Sequence, residues 1–85
     1  MTWRVDFRPS AKAELLKLDR TTQERVLRSL HRLAADPRNA AGVKALKGSS
    51  QYRLRVGDWR VIYTLDDEVL VVLVVRIAHR REVYR

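Results

Sequence analysis

Along the first eight residues, Trp3, Val5 and Phe7 alternate with Arg4, Asp6 and Arg8. That period-two pattern predicts a half-buried strand, closed by Pro9-Ser10. Residues 10–18, SAKAELLKL, predict a helix with Leu15, Leu16 and Leu18 inward and Ser10 as its N-cap. Thr21 to Glu24 has the spacing of a capping box, in which side chains at both ends satisfy orphan amides. A second helix follows, with Val26, Leu27, Leu30, Leu33 and Ala34 on one stripe. Asp36-Pro37 stops it, because the residue before proline is pushed out of the helical region. With so short a connection near Asp19-Arg20, the two helices form a hairpin.

Residues 37–50 show no firm periodicity and read as a loop carrying Arg38, Lys44 and Lys47, with Val43 and Leu46 pinning it to the core. Three strands then follow, at about 51–56, 59–65 and 69–77, with a short continuation through REVY as an option. The run VLVVLVV has no polar face, which places its strand in the middle of a sheet with both faces covered. Asp66-Asp67-Glu68 makes the turn before it. The predicted architecture is one α+β domain over residues 1–85 in the order β-α-α-β-β-β, a helical hairpin packed on a small, mainly antiparallel sheet.

The hairpin QYRLRVGDWRVIY fixes more. If Gly57-Asp58 is a two-residue turn, counting outward pairs Val56 with Trp59, Arg55 with Arg60, Leu54 with Val61, Arg53 with Ile62 and Tyr52 with Tyr63. Paired residues share a face, so Tyr52, Leu54, Val56, Trp59, Val61 and Tyr63 form an apolar face and Arg53, Arg55 and Arg60 converge on the other. Two readings of that cluster compete. One is a solvated polar face whose long side chains splay apart and whose repulsion salt screens. The other is an anion site, favoured because Asp58 is the one nearby acid and because arginine binds phosphate bidentately.

Charge along the chain adds to this picture. Eighteen Lys and Arg against ten Asp and Glu leave +8. Residues 37–60 hold six bases against Asp58, residues 61–75 hold none, and residues 76–85 hold four bases and His79 against Glu82. Blocks of one sign favour a binding face for a polyanion or an acidic protein. There is no cysteine, so a disulfide framework, a thiolate nucleophile and a cysteine-based zinc site are excluded. The N-terminus lacks a signal-peptide pattern and the apolar run is far short of the roughly 20 residues of a membrane span, so a cytoplasmic protein without membrane contact is expected.

Which C-terminal groups join the arginines depends on parity. A two- or four-residue turn between the last two strands puts Ile77 and His79 on the arginine face, whereas a three-residue turn puts Arg76 and Arg80 there. His79 has the means to move a proton near neutral pH, or is an ordinary exposed histidine. Tyr84 is placed either to stack on a base or as an amphipathic edge residue. His31, at the edge of the helical stripe, reads as surface.

The segments LKGSSQYRLRVGDWRVIY and VVRIAHRREVYR, in this order after a strand and a helical hairpin, resemble the RelE-like toxins of bacterial type II toxin-antitoxin systems, in the RelE/ParE superfamily. The resemblance covers essentially the whole chain. It implies a metal- and cofactor-independent, ribosome-dependent endoribonuclease that cuts messenger RNA in the ribosomal A site. The expected partners are the ribosome, messenger RNA and an acidic, DNA-binding RelB-like antitoxin that neutralises the toxin in a hetero-oligomer. The ribose 2′-OH would attack the adjacent phosphate, leaving 2′,3′-cyclic phosphate and 5′-OH ends. This asks for a base, for positive charge on the phosphorane and for an acid.

By resemblance, Arg60 is the phosphate-stabilising arginine, Arg53 and Arg55 the basic strand pair, Arg80 the C-terminal arginine with Arg81 as its alternative, and Tyr84 the base-stacking tyrosine. Lys44 and Lys47 join the RNA-binding set through the basic loop. The best-known members have lysine where this chain has Arg53 and Arg55, and arginine stays protonated, so His79 becomes the candidate for proton transfer. The chain ends at Arg85 without the additional C-terminal helix of some relatives, so antitoxin contact there is expected to differ. Two alternatives stand beside this reading: a ParE-like inhibitor of DNA gyrase, and an RNA-binding module without chemistry.

Overall fold

The computed structural model describes residues 2–83. The elements are β1 (Arg4–Phe7), α1 (Pro9–Leu16), α2 (Arg20–Leu33), β2 (Val43–Ala45), β3 (Tyr52–Val56), β4 (Trp59–Asp66), β5 (Val71–His79) and a single helical turn, α3 (Arg80–Val83). The strands form one five-stranded sheet in the order β1-β5-β4-β3-β2, parallel between β1 and β5 and antiparallel elsewhere. The α+β architecture is the predicted one with a strand and a helical turn added. Strand β2 lies inside the stretch read as a loop, and three residues are too few for alternation to declare itself. Pairing holds it: Val43 lies opposite Leu54, Lys44 opposite Arg53 and Ala45 opposite Tyr52. Just before it, Gly42 has φ +83°, and a Cβ there would stand 3.2 Å from the Arg55 carbonyl oxygen. The approach is close because the Arg55 amide donates to the Gly42 carbonyl at 3.0 Å. The segment REVY does not prolong β5, since helix begins at Arg80.

Both helices start differently from expectation. Arg8 is the N-cap of α1 without a side-chain bond, and Pro9 and Ser10 are already helical, as suits a proline whose missing N–H has no intrahelical partner to lose. Asp19 caps α2, its carboxylate accepting the Thr22 amide at 3.2 Å and the Thr22 hydroxyl at 2.5 Å. An acid two residues upstream therefore takes the role the capping box gave to Thr21. The Thr22 bonds hold the Asp19 carboxyl below its ordinary range.

Ala11 and Leu15 of α1 and Val26, Leu30 and Leu33 of α2 pack on Leu54, Val56, Val61, Tyr63, Val72, Val74 and Ile77. Leu16 and Leu27, both expected inward, are 64% and 45% exposed. Each follows a buried residue by one position, about 100° of helical turn, and the buried stripe is too narrow to include both. Strand β5 is interior, as its apolar run predicts, but the helices cover one face only. Leu73 and Val75 are half-buried on the chain's other side, which corrects the expectation of two covered faces.

A clamp closes the loop over this core. Tyr63, fully buried, donates its hydroxyl to the Pro37 carbonyl at 2.5 Å. Burial, with a smaller contribution from Tyr52, pushes the Tyr63 phenol well above its ordinary range. The next residue, Arg38, grips Asp67 through two bonds of 2.9 and 2.8 Å and donates from Nε to the Tyr52 hydroxyl at 3.1 Å. The hydrogen bonds from Arg38 hold the Asp67 carboxyl below its usual range. Arg38 is thereby withdrawn from the basic block in which the sequence placed it. Among the described residues, no helix is long and apolar enough to cross a membrane.

Candidate functional site

The β3–β4 hairpin has the counted register throughout, from Val56 opposite Trp59 to Tyr52 opposite Tyr63. Gly57 turns it with φ +59°, while Asp58 stays at negative φ, the pattern of a two-residue turn that demands glycine first. Arg53, Arg55 and Arg60 consequently share the face away from the helices. Strand β2 brings Lys44 beside Arg53, so Lys44, Arg53 and Ile62 form one row across three strands.

The fourth strand joins by an irregular step. The β4–β5 turn spans four residues, 67–70, with Asp66 opposite Val71. A regular ladder from there would put Ile77 and His79 on the arginine face. Between Ile62 and Tyr63 the register slips, so that Tyr63 lies opposite Val74 but Ile62 lies opposite Arg76. Val75 is the extra residue of a bulge. Arg76 therefore completes the Lys44–Arg53–Ile62 row and Ala78 faces Arg60. His79 pairs with Trp59 on the helix side, its ring edge-on to the indole at 5.5 Å. The four-residue turn was correctly anticipated as an option, but its consequence for His79 is reversed, because the bulge inverts the parity.

Arg60 bends over the end of the hairpin, donating from Nη1 to the Gly57 carbonyl at 3.1 Å and the Trp59 carbonyl at 3.0 Å. This fixes its guanidinium at the turn. Arg80 docks on the same turn: its amide donates to the Asp58 carbonyl at 2.8 Å, and its Nε lies 3.7 Å from the Asp58 carboxylate. The one acid of the hairpin is thus occupied by Arg80. Arg76, His79, Arg81 and Glu82 line an open recess at the C-terminal edge of β5. There the Arg81 amide donates to His79 Nδ1 at 3.4 Å. Lys47 is exposed in the loop beyond β2, apart from these rows. Tyr84 lies outside the described residues. No group of three or more His, Asp or Glu side chains among the described residues could hold a metal ion.

Two features escaped the sequence reading. Helix α2 carries Arg25, Arg28 and Arg32 to the edge of the same hairpin; their spacing of three and four places them on one helical face, a signal masked in residues 1–36 by five acids among eight bases. At the far end of the sheet, Arg4, Asp6, Asp66, Asp67 and Glu68 border a separate recess. Strand β4 therefore runs from a cationic end at Arg60 to an acidic end at Asp66.

A helical hairpin on one side of a five-stranded sheet, with a row of cations open on the other, defines a small basic α+β domain suited to an anionic partner. The family described as "ParE toxin of type II toxin-antitoxin system, parDE" matches residues 5–84. A RelE-like toxin protein of Escherichia coli is 30% identical over 81 residues, covering 94% of this chain and 85% of that one. The structure is similar to a RelBE-type toxin-antitoxin complex from Mycobacterium tuberculosis, with TM-score 0.83 and 26% identity over 94% of this chain and 100% of that one. It is similar also to the archaeal RelE–RelB complex of Pyrococcus horikoshii, with TM-score 0.82 and 28% identity over 96% and 99% of the two chains. The isolated E. coli RelE toxin matches with TM-score 0.81 and 30% identity over 96% and 90%. The chain belongs to the RelE/ParE family of type II toxin-antitoxin toxins and is RelE-like.

Proposed function

We propose that this toxin is a metal-independent endoribonuclease that cuts messenger RNA on the ribosome and is neutralised by an acidic RelB-like antitoxin. The observation that carries the reading is the convergence of Arg53, Arg55, Arg60 and Arg76 at one end of an open sheet face, where the hairpin's one carboxylate, Asp58, is held by Arg80. In-line attack of a ribose 2′-OH on its own phosphate concentrates negative charge on the phosphorane oxygens. Fixed guanidinium groups stabilise that charge more than they stabilise the ground state. The 2′-oxygen bonds to phosphorus as the bond to the 5′-oxygen breaks. One proton leaves the 2′-OH and one is delivered to the 5′-oxygen, giving a 2′,3′-cyclic phosphate and a 5′-OH.

Arg60 is the phosphate-stabilising residue in this scheme. Arg53, Arg55 and Lys44 position the strand, and Lys47 extends the contact beyond β2. His79 is the proton-transfer group. This reading is supported by its position at the end of β5, where it lines a recess with Arg76, Arg81 and Glu82, and it requires that the same phosphate be within reach of that recess and of Arg60. Arg80 and Arg81 bind the flanking phosphates, and Tyr84 stacks on a base. The antitoxin reading is supported by the net charge of +8 and by the related toxins solved together with their antitoxins.

Expression of the chain alone is expected to arrest translation, with new messenger 5′ ends appearing on ribosomes; Arg60→Ala should abolish these ends while remaining folded. Intact messenger during arrest, with gyrase-linked DNA breaks, would replace this reading with ParE-like action. The ParE reading has two observations in its favour: the family matching residues 5–84 is described as a ParE toxin, and no lysine stands at position 53 or 55 to serve as a base.

A further inference from the structure

Arg25, Arg28, Ser29 and Arg32 of α2 and Arg55, Val56 and Gly57 of the hairpin enclose a shallow recess of about 230 Å³. Four of its seven lining residues are arginines and none is acidic. The recess opens where β2 has ended, because β2 pairs only with Tyr52 to Leu54 and the edge of β3 beyond is uncovered by a strand. Arg25 reaches the turn itself: a Cβ on Gly57 would stand 3.3 Å from Arg25 Nη2 and 3.6 Å from Nη1. The Arg25 guanidinium thus lies against the turn, in tight contact range of the Gly57 position.

Among the described residues, the ion pairs are Arg4–Asp6, Arg20–Glu24, Arg38–Asp67 and Arg80–Asp58. None engages Arg25, Arg28, Arg32 or Arg55. Like charges three and four residues apart on a helix repel, so α2 bears an uncompensated stripe facing a further arginine across a polar recess. The Ser29 hydroxyl adds a neutral donor. Bidentate guanidinium donors around a small polar space match a tetrahedral oxyanion. The single apolar lining residue, Val56, is itself buried, so the recess lacks the large apolar anchor on which protein interfaces depend. Arg55 belongs both to this recess and to the sheet face, so the two are one cationic track that turns around the edge of β3.

We infer that this recess is a second phosphate-binding site, holding a backbone phosphate of the RNA strand away from the reacting bond. The inference rests on the proposal that the partner is RNA. Its role is affinity and path, and no reacting atom is placed there.

The test is fluorescence anisotropy of the purified chain with a labelled single-stranded RNA of about 20 nucleotides, between about 50 and 200 mM salt. Wild type is compared with Arg28→Gln/Arg32→Gln, which spares Arg25 at the turn and every residue given a role in cleavage. The double variant is expected to remain folded by circular dichroism and to bind RNA about tenfold or more weakly. Its log–log salt slope should be shallower by about 1.4, the value for two lost phosphate contacts to a single strand. On ribosomes, KM should rise while kcat stays within about twofold, as for lost uniform binding.

Unchanged affinity and slope in the double variant, with Arg53→Gln weakening RNA binding, would overturn the site and leave the ribonuclease reading standing. Loss of binding to a polyglutamate peptide with RNA binding intact would assign the recess to an acidic protein and overturn the inference. Absence of RNA binding by wild type would overturn the recess as a site for free RNA, while new messenger 5′ ends on ribosomes would still decide the ribonuclease reading. A drop in kcat at saturating substrate would also overturn the separation of this site from chemistry.

Discussion

The Glu14 carboxylate of α1 accepts the backbone amide of Ile77 in β5 at 2.9 Å. Strand β1 pairs with β5 only from Val71 to Val74, so beyond that point β5 has an edge without a strand. Glu14 supplies the acceptor there. Glu14→Ala is expected to destabilise the fold by about 1–3 kcal/mol, the cost of leaving a buried amide unsatisfied. Glu14→Gln, which keeps an acceptor oxygen, should cost less than half of that. Urea denaturation of the three proteins measures the difference, and equal midpoints for wild type and Glu14→Ala would remove this role.

The bulge at Val75 sets which residues face the helices for the rest of β5. Deleting Val75 removes the extra residue and joins the pairs Tyr63–Val74 and Ile62–Arg76 in one regular ladder, with Arg76 still outward and Ile77 still inward. The deletion variant is therefore expected to keep cooperative unfolding in urea. Loss of cooperative unfolding would mean that the bend at the bulge is itself needed to seat the end of β5.

Tyr63 and Pro37 form the buried bond that closes the loop. Tyr63→Phe strands the Pro37 carbonyl and should cost about 1–3 kcal/mol. Because burial raises the folded-state pKa of this phenol, its contribution is fully present below the ordinary value of about 10 and is lost as pH rises above it. Wild-type stability should therefore fall on the alkaline side more steeply than that of Tyr63→Phe, which thermal melts across that range will show.

At the acid end the sign is opposite. Arg38 lowers the folded-state pKa of Asp67, so this contribution is present above the ordinary aspartate value of about 4 and fades as pH falls through the lowered one. Asp67→Asn should flatten the acid limb of the stability curve and leave its alkaline limb unchanged. An identical acid limb in both proteins would show that the clamp is equally strong in the unfolded chain.

His79→Gln separates positions that the register has separated in space. If the recess beside Arg76 is where protons move, single-turnover cleavage should fall by about 10²-fold or more while RNA affinity stays near wild type. Unchanged cleavage would leave His79 as a packing partner of Trp59.

The hairpin was legible to the residue because its turn signal and both strands are local: Gly57-Asp58 fixes the pairing, and alternation does the rest. The last strand was not, because its face depends on one extra residue whose insertion leaves no mark in an apolar run where Val74, Val75 and their neighbours look alike. Helix starts were misread where a stronger competitor stood nearby, Asp19 for Thr21 and Pro9 for Ser10. Strand β2 and the Glu14–Ile77 bond depend on partners distant in the chain, as does the meeting of the α2 arginines with Gly57. The charge blocks counted Arg38 with the bases of residues 37–60, whereas the fold pairs it with Asp67.

The opposed charges along β4 act before any contact is made. The strand spans eight residues, roughly 25 Å at a little over 3 Å per residue, with guanidinium groups at one end and carboxylates at the other. In the field of a polyanion such a molecule experiences a torque as well as an attraction, and it arrives with the hairpin leading and the acidic turn trailing. Reversing Asp66 and Glu68 to lysine would keep every residue of the cationic face yet make the molecule approach almost indifferently, so that many encounters would present the wrong end.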